Sequence, residues 1–542
     1  MSPIRTETLS QAIIQAWDEV PNAPAVYYFD TVWSFGDLMD RVMRVAGYFR
    51  SVGIGFGDRV GIMLQNMPAT VVTYLASWAV GAAVVPLNVM FQPDELYHHL
   101  ADSGAKALIV LASVYQRVGE LRSLPQLAHI IVVDDRADFA GEAPPWLLPC
   151  FSQKEESSYA QALLAEPLFP NKWHPVQAKD MALLTYTSGT TGSPKGAINT
   201  HANILHNVSV YTSMAQLKAN TVNIAFAPLF HITGAVAGLA LSVRLAVPLV
   251  LLYRFDPRVA VQAIARRRAT FTVGAITTFL GILELADLER YDLSSFCHAY
   301  SGGAPVPAAT VDAFQAKTGI YIHNVYGLTE STNGLIMVPY GQRAPIDPQS
   351  GALSIGQVGS DIHVSIRDTD DPSKVLPCEA LGELSLRGPS VVSGYWEKPE
   401  ETAQSYYDGW FLTGDVARMD NAGWIYLVDR KKDVIISSGN KVWPRDVEDV
   451  LFQHPGVQEA VVVGLPDAYR GEAVSAFVVR RPEAASLTEA ELLAFVRSRL
   501  AAYKVPRTIQ WVESIPKTAT GKFLRRAFRT GVAIPEIAPD RG

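Results

Sequence analysis

The chain has 542 residues, too many for one compact hydrophobic core, so two or more domains are expected. With 49% hydrophobic and 18% charged residues it is not intrinsically disordered, and 46 Lys+Arg against 53 Asp+Glu, a net charge of -7, supply no overall attraction for nucleic acid. Cys150, Cys297 and Cys378 stand far apart, with no Cys/His group at zinc spacing, which argues against a zinc site and for a reducing, cytoplasmic setting.

In chain order, MSPIRTETLSQAIIQAWDEV starts like an amphipathic helix and lacks the apolar run of a signal peptide. Residues 36–53 predict a helix with Leu38, Met39, Val42, Val45, Ala46 and Phe49 on one face. RVGIMLQN (59–66) reads as a strand, PATVVTYLASWAVG (68–81) as a helix and AAVVPLN (82–88) as a strand. Similar units recur at 107–133 and 244–275, with an irregular surface connection near 134–175. This alternation predicts an α/β class with largely parallel sheets. The most apolar stretch, 232–253, carries Arg244 and Pro248, so it predicts a buried helix followed by a core strand and not a membrane crossing.

MALLTYTSGTTGSPKG (181–196) is an apolar strand running into a Gly/Thr/Ser loop, with a helix-like HANILHNVSVYTSMAQ after it. Glycines let backbone N–H groups converge on an anion, hydroxyls donate further bonds and Lys195 adds positive charge, so the loop suits phosphate. It is not the Walker A pattern, because Pro194 precedes Lys195 and Gly196 follows it.

From Asp433 onward DVIISSG, a helix with Val447, Val450, Leu451 and His454 on one face, two strands, and TEAELLAFVRSRL predict a small α+β unit. Thr488 and Glu491 in the last segment have capping-box spacing. The charged DRKKD (429–433) is the candidate linker, giving units of 1–431 and 432–542. Arg266, Arg267 and Arg268 read as a solvated helix end.

Six motifs in order, YTSGTTGSPKG (186–196), YSGGAP (300–305), NVYGLTES (324–331), DGWFLTGD (408–415), DRKKDVIISSGNKVWPRDVED (429–449) and PKTATGK (516–522), resemble the AMP-forming acyl-adenylating superfamily. That superfamily includes acyl-CoA synthetases, firefly-luciferase-like enzymes and peptide-synthetase adenylation domains, and the resemblance spans about residues 30–525. It implies a large multi-sheet N-terminal domain with the ATP and acyl sites and a smaller, mobile α+β C-terminal domain.

The resemblance assigns residues in turn. Thr187, Ser188, Gly189, Thr190, Thr191, Gly192 and Lys195 would hold the phosphates of ATP, with Thr187 also catalytic. Gly302, Gly303, Ala304 and Pro305 would line the adenine slot, and Tyr326, beside Gly327, could stack on the base. Thr329 would bind a phosphate oxygen, and the Glu330 carboxylate would take Mg2+. Asp415 would accept from the ribose hydroxyls with Arg430 as its partner, and Lys522 would be the mobile catalytic lysine. Lys432 matches the hinge, while Ser438, Gly439 and Trp443 would wall the CoA tunnel.

Phe230 and His231 in PLFHITG fall at the carboxylate end of the acyl pocket, where the resemblance makes His231 a catalytic gate. Gly274, Ala275 and Gly303 suggest room for a long apolar acyl group, and Thr277 replaces the usual proline. The function implied is an acyl-CoA synthetase using ATP, Mg2+ and CoA on a carboxylic acid, a medium- or long-chain fatty acid first and an aryl or arylalkanoic acid second. A ligase loading a carrier-protein thiol, and a nucleotide-binding regulator without turnover, are the remaining readings. A monomer or homodimer is expected, with at most weak peripheral membrane contact because no polybasic or lipidation motif is present.

Overall fold

A computed structural model describes residues 8–115, 124–141, 158–187, 194–348, 351–437, 440–467, 471–517, 523 and 525–529, without the side chains of Lys432, Asn440, Lys441 and Arg526. The expected α/β class is borne out. One nine-stranded sheet runs, edge to edge, through Gln357–Val358, Asn333–Met337, Ile322–Leu328, His298–Gly302, Phe271–Gly274, Asn223–Ile224, Leu249–Leu251, Pro24–Tyr28 and Thr31–Ser34. Its five central pairings are parallel and its edges antiparallel. A six-stranded sheet runs His129–Val133, Ala107–Leu111, Arg59–Met63, Ala83–Pro86, Met181–Thr187 and Lys195–Thr200, parallel except for the last pair.

Helices fill the space between these sheets because their apolar faces have nowhere else to go. In Phe35–Ser51 all six residues expected on the core face are buried. Helix Pro68–Ala79 is buried at every one of its twelve residues, with the hydroxyls of Thr70, Thr73 and Ser77 turned to backbone carbonyls. Its polar groups are satisfied inside the core: Trp78 Nε1 donates to Ala182 O at 2.9 Å and Tyr74 Oη to Leu229 O at 2.8 Å. Asn66 adds donors to Ala225 O and Ala227 O and accepts from Leu229 N at 2.7 Å. These bonds fix the backbone next to Phe230 and His231.

The 232–253 stretch forms a π-helical run Gly234–Ala240 continuing into helix Leu241–Leu245, then strand Leu249–Leu251, all within the core. No helix among the described residues is long and apolar enough to cross a membrane. Arg266 and Arg268 pair with Asp30 and Asp292 at the exposed end of their helix.

Strands His363–Arg367, Gly382–Arg387, Trp410–Met419, Tyr406–Tyr407 and Ile425–Arg430 make a third sheet. The fourth holds Asn440–Val442, Ile435–Ser437, Gly471–Arg480, Val457–Asp467 and Thr508–Trp511, and packs on helices Pro444–Phe452 and Glu489–Arg497 with its own hydrophobic cluster. Thr488 and Glu491 form the expected capping box. His454 lies past the end of its helix and packs edge-on to Phe495. In the 429–433 stretch Asp429 and Asp433 are buried, at 9% and 8% exposed.

Candidate active site

The site candidates collect where several chain segments meet at strand ends. The hairpin Met181–Thr187/Lys195–Thr200 brackets the loop, with Thr187 paired to Lys195 and its Oγ1 3.5 Å from Lys195 O. Ser188, Gly189, Thr190, Thr191 and Gly192 lie outside the described residues. The far strand of this hairpin is tied to the 392–396 segment: Ile198 N donates to Gly394 O, and Trp396 N to Gly196 O.

That seam brings in a residue the motifs did not single out. Tyr395 donates from Oη to Glu330 Oε1 at 2.8 Å, and the Lys195 ammonium stands 4.8 Å from its ring centroid. Burial, reinforced by the Glu330 charge, raises the Tyr395 phenol well above its usual range, so it remains a donor. Val392 N also donates to Glu330 O, so both the backbone and the side chain of Glu330 are held by this segment.

Thr329 and Glu330 sit in the turn between strands Ile322–Leu328 and Asn333–Met337. Asn199 Nδ2 donates to Thr329 O at 3.1 Å and to Thr332 Oγ1 at 3.0 Å, tying the phosphate-loop hairpin to this turn. Gly327 is required there: a Cβ would stand 1.9 Å from Asn333 O, at the register shift between Tyr326 and Gly327.

Asp415 and Arg430 face each other as paired residues of adjacent strands, with Arg430 Nε 3.4 Å from Asp415 Oδ1. Tyr326 Oη donates to Asp415 Oδ2 at 2.6 Å. Tyr326 is therefore anchored to the carboxylate, and burial beside Asp415 raises its phenol far above the ordinary value. Glu383, also missed, is buried and binds Gly414 N at 3.0 Å and Lys431 Nζ at 3.0 Å, bracing the loop before Asp415.

Gly302, Gly303, Ala304 and Pro305 follow strand His298–Gly302, with Gly303 at φ +77° and a Cβ on Gly302 only 2.3 Å from Val325 O. A cavity of about 410 Å³ lined by Phe296, Cys297, Tyr321, His323 and Tyr340 lies toward the opposite ends of these strands and includes none of the candidates.

At the acyl side, His231 Nδ1 accepts from Thr233 N at 3.3 Å, and Thr233 Oγ1 donates to Asn333 Oδ1 at 3.2 Å. Phe230 is half-buried against the main core. A Cβ added at Gly274 would meet Thr278 Oγ1 at 2.9 Å and Phe226 Cβ at 3.0 Å, so the glycine allows a close approach there. Ala275 precedes helix Ile276–Leu283 and Thr277 is its second residue, a position whose N–H needs no intrahelical acceptor. Threonine therefore replaces proline there without disturbing the helix.

Lys432 lies in the short 3-10 turn Lys431–Asp433, and Trp443 is the N-cap of helix Pro444–Phe452. Ser438, Gly439 and Lys522 lie outside the described residues. The described residues contain no group of three or more His, Cys, Asp or Glu arranged for a metal. Glu330 alone, with one oxygen held by Tyr395 and the other making no hydrogen bond among the described residues, fits a Mg2+ that takes its remaining ligands from phosphate and water.

Residues 14–396 match the family model described as AMP-binding enzyme, and residues 446–522 match the one described as AMP-binding enzyme C-terminal domain. A long-chain-fatty-acid–CoA ligase of Bacillus subtilis (strain 168) is 34% identical, over 97% of this chain and 94% of that protein. A feruloyl-CoA synthase of an Amycolatopsis species is 34% identical, over 94% of this chain and 96% of that protein. The solved structure of the anthranilate CoA ligase AuaEII in complex with anthranoyl-AMP superposes with a TM-score of 0.85 at 27% identity, covering 96% of each chain.

Proposed function

The chain belongs to the AMP-binding enzyme family and is an AMP-forming carboxylate–CoA ligase, and from that premise we propose that it activates a medium- or long-chain fatty acid. The acid's carboxylate attacks the α-phosphorus of ATP, pyrophosphate leaves, and the thiol of CoA then displaces AMP from the acyl-adenylate. A carboxylate oxygen is a poor leaving group; joined to AMP it leaves as a phosphate, so no nucleophile from the protein is required.

The work left to the chain is positioning and charge neutralisation. Asp415 offers its carboxylate to the ribose hydroxyls, held in place by Tyr326 and Arg430. Thr187, Lys195, Thr329 and the loop 188–192 receive the phosphates, and Gly302 to Pro305 receive the adenine. Glu330 would hold Mg2+, which supplies positive charge to the phosphates when bound. Lys522 neutralises the charge shared by carboxylate and α-phosphate, and residues 432–542 turn about Lys432 between the two half-reactions so that Ser438, Gly439 and Trp443 meet CoA.

The single observation that supports this reading is that Tyr395 joins Lys195 to Glu330, a cation to the carboxylate proposed for Mg2+, while Tyr326, four residues before Glu330, joins Asp415, the proposed ribose acceptor paired with Arg430. The aliphatic choice is supported by the likeness to the Bacillus ligase. An aryl acid is the second reading, favoured by the equal identity to the feruloyl-CoA synthase. A cytoplasmic location is part of the proposal.

The test compares octanoate, palmitate, benzoate and ferulate for pyrophosphate release with ATP and Mg2+, in wild type and Lys522→Ala. Release with the aliphatic acids, reduced by about 10²–10³ in the variant, supports the reading. Release confined to aryl acids transfers the proposal to the second substrate class.

A further inference from the structure

Asp429, next to last in strand Ile425–Arg430, is a buried carboxylate with two backbone partners. Its Oδ1 accepts from Arg430 N at 2.7 Å and its Oδ2 from Arg445 N at 2.8 Å. Arg445 is the second residue of helix Pro444–Phe452, whose N-cap, Trp443, makes no side-chain capping bond. The first N–H groups of any helix lack intrahelical acceptors. Here one of them is satisfied by a carboxylate from across Lys432, sixteen residues upstream.

Arg525, on the same side of Lys432 as this helix, braces it from within the small unit. Its Nη2 donates to Glu448 Oε2 at 2.6 Å, and its Nη1 stands 3.9 Å from Asp433 Oδ2. Burial pushes the Asp429 carboxyl up, and the Arg525 charge works against that shift. Burial disfavours the Arg525 cation, but Glu448, Asp429 and Asp433 outweigh it and raise its affinity for the proton.

We propose that Asp429 is a positioning residue that latches the small C-terminal unit in one of its two orientations, by capping helix Pro444–Phe452 beside Arg525. The inference rests on the reading of Lys432 as the hinge between two half-reactions. Asp429 precedes the pivot, while Arg445 and Arg525 follow it. A rotation at Lys432 therefore carries the helix N-terminus away from the carboxylate. The cap exists in one orientation and is lost in the other, so its strength sets their balance.

The test uses the full chain and Asp429→Ala, measuring the half-reactions separately: pyrophosphate formation without CoA, and thioester formation from added acyl-adenylate and CoA. Loss of the carboxylate cap should change the ratio of the two rates by about tenfold. A wild type active in both half-reactions with a variant whose two rates fall equally, or whose ratio is unchanged, rejects the latch alone. Hydrogen exchange on the wild type gives a readout independent of the variant's folding. The Arg445 amide should be protected in one state, ATP with acid or acyl-adenylate analogue with CoA, and exposed in the other. Equal protection in both overturns the proposal. A wild type that forms no pyrophosphate with any acid removes the functional reading, and the latch with it.

Discussion

Tyr395 and Glu330 lie 65 residues apart in sequence and 2.8 Å apart in space, phenol donating to carboxylate, while the same ring carries Lys195. One side chain thus touches both the candidate metal-binding carboxylate and the Lys195 ammonium, the cation proposed to meet phosphate. Tyr395→Phe keeps the ring and loses the donor, so kcat/KM should fall by about tenfold with a raised Mg2+ requirement. Glu330→Gln should fall further, by about a hundredfold or more. Pyrophosphate release titrated with Mg2+ checks both; an unchanged Mg2+ dependence in Tyr395→Phe would count against this pairing.

Tyr326 is a support for Asp415 and not only a surface for the base. Tyr326→Phe leaves the buried carboxylate with one donor fewer, so KM for ATP should rise about threefold to tenfold with kcat little changed. An unaltered KM for ATP would show that the bond has no part in nucleotide binding.

Burial holds His201 and His323 neutral, pushing each imidazole down to about 4. His201 Nδ1 accepts from Leu9 N, a bond that needs the nitrogen unprotonated. In the unfolded chain both titrate near 6.5, so from about pH 6.5 down to 4 the unfolded state takes up protons the folded state refuses. Their contribution is fully present above 6.5 and is lost as pH falls through this window, by up to about 3 kcal/mol each. His201→Asn should lower Tm at neutral pH and flatten its decline toward pH ~4.5; thermal unfolding at both pH values reads this directly, and a parallel decline would refute it.

Gly327→Ala places a methyl 1.9 Å from Asn333 O, inside the turn that carries Thr329 and Glu330. Stability should drop by about 2 kcal/mol or more, and ATP binding should weaken because the turn must shift. Urea unfolding with and without ATP measures the two effects, and wild-type behaviour in both would mean the turn yields freely.

Much of this was legible because its signals are local. The core face of Phe35–Ser51, the helix Pro68–Ala79 and the Thr488 capping box are set by local sequence alone. Thr187, Glu330, Asp415 and Arg430 could be named because each stands in a motif. Tyr395, Asn199 and Glu383 could not, since their partners are supplied by packing of distant strands and leave no periodicity in the sequence. The cap by Asp429 went unread for the same reason: the helix end it serves follows only after a turn and two short strands. Why Gly274 is glycine was not legible either, because its close neighbours, Thr278 and Phe226, are set by packing.

The most direct measurement of the central claim is the full product balance of wild type with palmitate, ATP, Mg2+ and CoA. The account predicts palmitoyl-CoA with AMP and pyrophosphate in equal amounts, and acyl-adenylate alone when CoA is withheld. ADP and phosphate as products, or no thioester from palmitate alongside efficient thioester formation from ferulate or benzoate, would contradict it.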